Sequence, residues 1–228
     1  GYREVYSAET ALEDIRIIEK LSDEADTALT FTRRAQDARN RVVLKVYHHL
    51  VPIPLSARVP ILENMGFRVI NERTYRLTPE ERPLAYLHEL SLEPVGGGEI
   101  DLTDDLKLRL EALFMAIWRG ETESDGYNAL VLSAGLGWRD IAMLRALSRY
   151  LRQAGIRYSE DYMWRTLNRY SDVARKLVEM FHLRFDPDPN GEDRSLGAER
   201  VERDLLDSLE QVDSLDDDRI LRRFDNVI

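Results

Sequence analysis

The chain has 228 residues, of which 43% are hydrophobic and 32% charged, and it contains no cysteine. That much apolar content supports a buried core. No apolar run reaches the roughly 18 residues that a spanning helix needs, and disulfides, thiolate metal sites and cysteine nucleophiles are all excluded. The formal net charge of −10 argues against a nucleic-acid partner, because phosphate binding needs a basic face.

In chain order, the first expected element is a helix from about Ser7 to Leu21, with Ser7 as its cap and Leu12, Ile15 and Ile18 as its apolar side. Two strands follow, Ala28 to Thr32 and Val42 to Tyr47, both rich in β-branched and aromatic residues. The polar link Gln36–Asn40 makes them a hairpin. A second helix is expected from Leu55 to Met65, with Ser56 as cap, Pro60 in the first turn and Gly66 at the stop. Strands Phe67 to Leu77 and Leu84 to Leu92 come next, with Pro79 and Pro83 bounding their turn. In the first of these, Phe67, Val69 and Asn71 alternate to one side.

The order α-β-β-α-β-β becomes β-α-β-β-α-β when the first helix and strand are moved to the end. That is the ferredoxin-like order of ACT regulatory domains. Its first and last strands are antiparallel neighbours, so a hairpin can join them and permit a permuted chain. The fold class expected is therefore α+β, a circularly permuted ferredoxin-like or ACT-like antiparallel sheet followed by an all-α region. Residues 1–94 form the ACT-like domain, 95–102 a glycine-rich linker, and 103–228 the helical domain.

The helical part reads as about six helices. Thr103 caps one with Leu106, Leu110, Leu113, Phe114 and Ile117 on its apolar face, ending at Trp118-Arg119-Gly120. Another runs from about Tyr127 to Ala134 and stops at Gly135, and a third begins near Trp138 and stops at Gly155. Ser159 and Ser171 are read as successive N-caps. Asp186-Pro187-Asp188-Pro189-Asn190-Gly191 is a turn, and a last region carries Val201, Leu205, Leu209 and Val212, with Ser214 to Asp218 as a break before Ile220 to Ile228. From Asp186 onward, fourteen acids face six arginines, so most of the negative charge sits there. This tail is a solvated helical face or an acidic docking surface.

No residue set stands out as catalytic, cofactor-binding or metal-binding. Gly96-Gly97-Gly98 and Ala134-Gly135-Leu136-Gly137 lack the dinucleotide fingerprint and its strand–helix setting. His48 and His49 point to opposite faces of a strand, whereas His48 and His88 can meet across paired strands. The acids Glu121, Glu123 and Asp125 lie in an interhelical loop without the spacing of a calcium-binding loop. Trp118-Arg119 and Trp138-Arg139 are read as aromatic wedges with arginines stacked over them.

Longer segments carry a resemblance. Glu63-Asn64-Met65-Gly66-Phe67-Arg68-Val69-Ile70-Asn71-Glu72-Arg73, Ala116-Ile117-Trp118-Arg119-Gly120-Glu121, Ala134-Gly135-Leu136-Gly137-Trp138-Arg139 and Ser214-Leu215-Asp216-Asp217-Asp218-Arg219-Ile220-Leu221-Arg222-Arg223-Phe224 resemble segments of the large bacterial NAD-specific glutamate dehydrogenases. The resemblance implies a cytoplasmic, homo-oligomeric parent enzyme that oxidises L-glutamate to 2-oxoglutarate and ammonium with NAD. It implies that this chain is a non-catalytic piece, an ACT-like domain plus the helical motif preceding the catalytic domain. The chain begins at Gly1 and stops at Ile228 within a helix-like stretch, and the catalytic residues are expected beyond that point. No cofactor is expected in the piece itself. Its expected partners are the catalytic domain of the same chain, other subunits and an amino-acid effector, with no nucleic acid and no membrane. The effector loop would be His49-Leu50-Val51-Pro52-Ile53-Pro54-Leu55. That loop is apolar and proline-stiffened, which favours packing over effector binding. The alternative is a stand-alone interaction module that docks through the acidic tail.

Overall fold

A computed structural model describes residues 2, 6–34, 36–78, 83–186 and 194–228. Most of the turn expected at Asp186–Gly191, and Pro79 with the three residues after it, lie outside the described residues. The chain divides into two compact units, Gly1–Phe114 and Met115–Ile228.

The first unit opens with helix α1, Ala8–Ile18. Ser7 caps it, its hydroxyl accepting from the Thr10 N–H at 3.3 Å. Strands β1 (Thr27–Thr32) and β2 (Val42–His49), helix α2 (Leu55–Asn64), and strands β3 (Phe67–Leu77) and β4 (Ala85–Pro94) follow. The four strands form one antiparallel sheet in the order β1-β2-β4-β3. The β1–β2 hairpin is the neighbour relation that the permuted order requires, with Thr27 opposite His48 and Thr32 opposite Val43.

Strand side chains alternate between faces, so the register sorts them into two layers. Phe31, Val42, Leu44, Val46, His88, Leu90, Leu92 and Phe67 share one face, and all are buried. Phe31 and Phe67 stack there with ring centroids 5.9 Å apart. The other face carries Val43, Lys45, Tyr47, His49, Leu87 and Glu89. The first face is aliphatic and aromatic apart from its histidines; the second buries two charged groups, Lys45 and Glu89.

Helix α1 covers the second face, but only Ile18 of the expected apolar side lies on the buried side, with Asp14. Leu12 and Ile15 are each half exposed, while Asp14 is the buried residue. Lys45 explains the difference. A lysine ammonium on a central strand is costly to bury without a partner. Its Nζ donates to both Asp14 carboxylate oxygens at 2.8 Å. Tyr47 donates its hydroxyl proton to Asp14 Oδ1 at 2.6 Å and Tyr2 donates to Oδ2 at 2.5 Å. The Lys45 ammonium also sits 4.2 Å from the Tyr6 ring centroid. Burial and the Asp14 carboxylate push both the Tyr2 and Tyr47 hydroxyls far up from their ordinary pKa. Apolar periodicity was the wrong guide for this helix, because a charge pair outweighs two half-exposed aliphatics.

Three further details differ from the sequence reading. Ser56 is not the cap of α2; Pro54 holds that position without a side-chain bond, and Pro60 lies inside the helix, where its missing N–H leaves the Ser56 carbonyl without its donor. Gly66, at φ 88°, ends α2 as expected. In β3 the pairing shifts between Val69 and Asn71, so Ile70 is a bulge residue and Asn71 crosses to the face opposite Val69. The stretch 95–102 is also tied to the sheet unit: Ile100 is buried, and its N–H donates to the Arg39 carbonyl at 3.0 Å.

Helix α3 spans Asp104–Trp118, with the Thr103 hydroxyl accepting from the Leu106 N–H at 3.2 Å. Leu110, Leu113 and Phe114 are fully buried. Glu111 reaches the free edge of β1 and accepts the Phe31 N–H at 3.0 Å, which satisfies an edge-strand donor.

The second unit holds a 3-10 turn, Gly126–Ala129, and helices α4 (Leu130–Ser133), α5 (Trp138–Gln153), α6 (Glu160–Arg169), α7 (Ser171–Phe185), α8 (Arg194–Leu209) and α9 (Leu215–Asp225). Gly120, Gly135 and Gly155 have positive φ at the helix stops. Ser159 caps α6 as expected, but Ser171 does not cap α7; it is the first helical residue behind Tyr170. The acids Asp216, Asp217 and Asp218 fall in the first turn of α9 behind the cap Ser214 rather than in a break. Acids stabilise that end of a helix. Asp217 is fully buried and joins α9 to α6 through Thr166 Oγ1 at 3.0 Å and Arg169 at 2.8 Å.

Gly126 has a packing reason. A Cβ there would meet the Trp164 ring at 2.3 Å. Replacing Gly126 with Ala is expected to displace the indole and lower stability by about 1–3 kcal/mol, read by urea unfolding and by the intrinsic fluorescence of the helical unit. The Asp14–Lys45 pair gives a second expectation. Asp14→Ala leaves a buried ammonium and should cost about 3–5 kcal/mol, whereas the double change Asp14→Leu with Lys45→Met should cost far less. Urea midpoints of the three proteins check this; equal losses in the single and double variants would contradict it.

Candidate functional site

The loop between β2 and α2 is the segment expected to meet an effector or a neighbour. Its backbone is held at several points. The Leu50 N–H donates to the Leu84 carbonyl at 2.8 Å and the Val51 N–H to the His49 carbonyl at 2.7 Å. His48 Nδ1 lies 2.8 Å from the Val51 carbonyl and so carries a proton. Leu50 adopts φ 62°, unusual for a side chain of that size. The loop thus presents Leu50, Val51 and Leu55 to solvent, at 47%, 56% and 45% exposure, from a fixed frame.

Ile53 is the anchor of that frame. It is buried, and both its backbone groups are bound. Its N–H donates to His88 Nε2 at 3.1 Å, and its carbonyl accepts from Arg58 Nη2 at 2.7 Å. The same Arg58 Nη2 reaches Glu72 Oε1 at 2.7 Å. Thr74 closes the ring, its Oγ1 lying 2.8 Å from His88 Nδ1 and 3.2 Å from Glu72 Oε1. Because Nε2 accepts, the neutral imidazole carries its proton on Nδ1. The bulge at Ile70 is what makes this possible. Without the extra residue, Glu72 and Thr74 would point to the opposite face of the sheet.

Burial, reinforced by the Arg58 charge, lowers the His88 pKa to about 4 against the opposing pull of Glu72. His88 is therefore neutral at physiological pH. The expected meeting of His48 and His88 is met only in part. They share a face, but His48 stands opposite Tyr86 and His88 opposite Val46. His49, on the other face, pairs with Asp23 at 3.2 Å. Among the described residues, no group of three or more His, Asp and Glu could hold a metal ion.

The helical unit has its own polar centre, which the sequence reading missed. Arg145 on α5 is buried, and its charge is met by Asp125. Nε donates to Asp125 Oδ2 at 2.6 Å; Nη2 donates to Asp125 Oδ1 at 2.9 Å and to Asn128 Oδ1 at 2.6 Å. Asp125 also caps the 3-10 turn, accepting from the Tyr127 N–H at 3.1 Å. Tyr127 is buried against Ser148, and burial pushes its hydroxyl pKa up to about 12. The acids of this interhelical loop face guanidinium groups, Asp125 on Arg145 and Glu123 on Arg149. The available signal was the placement of Arg145 and Ser148 four and seven positions after Ile141, on the buried side of α5. Of the expected tryptophan–arginine stacks, Arg139 lies 4.3 Å above Trp138. Arg119 approaches Glu121 at 4.0 Å.

Two family descriptions match this chain in the order of its two kinds of structure. "Glutamate dehydrogenase, ACT3 domain" matches residues 26–104, and "Glutamate dehydrogenase, helical motif 3" matches residues 122–187. The whole chain aligns with NAD-specific glutamate dehydrogenases, at 39% identity to that of Halomonas elongata, 34% to that of Pseudomonas aeruginosa and 30% to that of Mycobacterium tuberculosis. The chain belongs to the NAD-specific glutamate dehydrogenase family. It spans 14% of the length of each of these relatives. The Ile53 anchor lies within the ACT3 segment and the Arg145 centre within helical motif 3. Helix α1, with Asp14, precedes the ACT3 match. The second face of the ACT3 sheet is thus covered by a helix outside the matched domain.

The His88 geometry fixes a pH dependence. An unfolded imidazole takes up a proton near its ordinary pKa, while the folded one resists until about 4. The unfolded state therefore binds more protons between these values, and stability falls as pH drops through that window. The loss should approach about 3 kcal/mol by pH 4. Urea unfolding at a series of pH values measures it, and His88→Gln should remove this component. An unchanged pH profile in that variant would contradict the assignment.

Proposed function

We propose that this chain is a non-catalytic structural segment of an NAD-dependent glutamate dehydrogenase. In this reading the parent oxidises L-glutamate to 2-oxoglutarate and ammonium in the cytoplasm, with NAD bound elsewhere in the parent. Residues 1–94 act as the ACT-like regulatory domain, and residues 103–228 carry the connection toward the catalytic domain. The 39% identity along the whole chain to a protein of that name supports the family part.

The role of the segment rests on one observation, the Ile53 anchor. An amino-acid effector needs backbone or polar side-chain groups free to grip its ammonium and carboxylate. Here the N–H and carbonyl of Ile53 are used internally, and the outward groups are Leu50, Val51 and Leu55. An ordered aliphatic surface on a rigid loop suits packing against another domain or a second subunit. Regulation would then pass through that contact.

Two measurements test this. The chain mixed with L-glutamate and NAD should give no NADH absorbance above a buffer control. Calorimetry with glutamate, aspartate and branched-chain amino acids should give no saturable heat. Turnover would refute the non-catalytic reading, and saturable binding abolished by Leu50→Asp would refute packing as the role of the loop.

A further inference from the structure

A second concave site lies on the face of the sheet covered by α1. It is a cleft of about 670 Å³ between α1, β1 and the start of α3. Its charge balance is unusual for so acidic a protein. Lys45 is neutralised by Asp14, and Arg34 by Glu89. Three other cations line the cleft: Arg16, Arg33 and Lys107.

Arg33 is held in place without being neutralised. Its Nε donates to the Arg41 carbonyl at 3.2 Å, and its Nη2 donates to the carbonyls of Arg39, at 2.8 Å, and Ile100. All three acceptors are uncharged, so the guanidinium keeps its full charge, and Nη1 makes none of these bonds. Lys107 stands on α3, which packs beside β1. Glu111, one turn further along α3, binds the Phe31 N–H and sets that helix against the β1 edge. Among the described residues, neither Lys107 nor Arg16 has an acid at ion-pair distance. Among the described residues, the only other acid in the lining is Glu13.

Hydroxyl groups complete the lining. Thr30 and Thr32 alternate onto this face of β1, and Thr10 faces them from α1. Cations and hydroxyls thus approach from a helix, a strand edge and a second helix. Donors converging from several directions match the tetrahedral oxygens of a phosphate better than the plane of a carboxylate. Among the described lining residues, these three cations against one acid leave two positive charges, which a phosphate dianion would neutralise.

We infer that this cleft binds a phosphate-bearing small molecule, with Arg33, Lys107 and Arg16 as its charged donors. The site differs from the β2–α2 loop in residues, face and ligand chemistry. It also gives a role to α1, which lies outside the ACT3 match and builds one wall.

The test is calorimetry on the full chain at low ionic strength, with inorganic pyrophosphate as probe and citrate, matched for ionic strength, as the carboxylate arm. Saturable pyrophosphate binding that is tighter than citrate binding and weakens with added salt is expected. Lys107→Glu and Arg16→Glu should each weaken it roughly tenfold or more, with far-ultraviolet circular dichroism unchanged. Lys20→Glu, outside the cleft, should leave it intact. The inference is overturned by absence of saturable heat, by tighter binding of citrate, by an unchanged affinity in the folded Lys107→Glu protein, or by equal weakening in Lys20→Glu.

Discussion

The central strands of the sheet carry a polar group on each face, and neither can be buried until it is partnered. Lys45 on β2 faces one way and His88 on β4 the other. Much of the first unit is arranged around these two demands. Lys45 draws in Asp14 and with it α1, together with the hydroxyls of Tyr2 and Tyr47. His88 draws in the backbone of Ile53 and, through Thr74, Glu72 and Arg58, the start of α2. The aliphatic core supplies most of the stabilisation, at about 1.5–3 kcal/mol per fully buried large side chain. It does not say where a helix or loop must sit. The polar groups do, because each tolerates few partners and few geometries.

This division explains what could be read from the sequence. The strands, their hairpin and the helix stops were legible because β-branched runs and glycines act locally. The permuted sheet was legible because element order and the hairpin leave few arrangements. The inward side of α1 was not. Leu12, Ile15 and Ile18 form a regular apolar stripe, and nothing local marks Asp14 as the residue that a lysine thirty-one positions away will claim. The bulge at Ile70 was equally hidden, since a strict alternation through Phe67, Val69 and Asn71 looks sound on its own. Its reason is tertiary: it turns Glu72 toward Arg58.

The same contrast holds at the candidate sites. The β2–α2 loop was recognisable as apolar and stiff, and its location follows from the fold. That its backbone is consumed by His88 and Arg58 required the structure. The Arg145 centre and the basic cleft join residues from several elements, so no short motif carries either. In both units a guanidinium meets mostly backbone carbonyls or acids from loops, as with Arg33 and Arg145. The chain has 32 basic residues and only four lysines among them. The arginine fork, with five donors in one plane, is suited to tying loops to helices.

The central claim is that buried polar groups on the middle strands dictate the placement of what surrounds them, and His88 is its sharpest case. Nitrogen-15 NMR of the imidazole at neutral pH reads the tautomer directly. The account predicts a neutral ring with the proton on Nδ1 and a bare Nε2 accepting the Ile53 N–H. A ring protonated on Nε2, or an imidazolium at that pH, would contradict it.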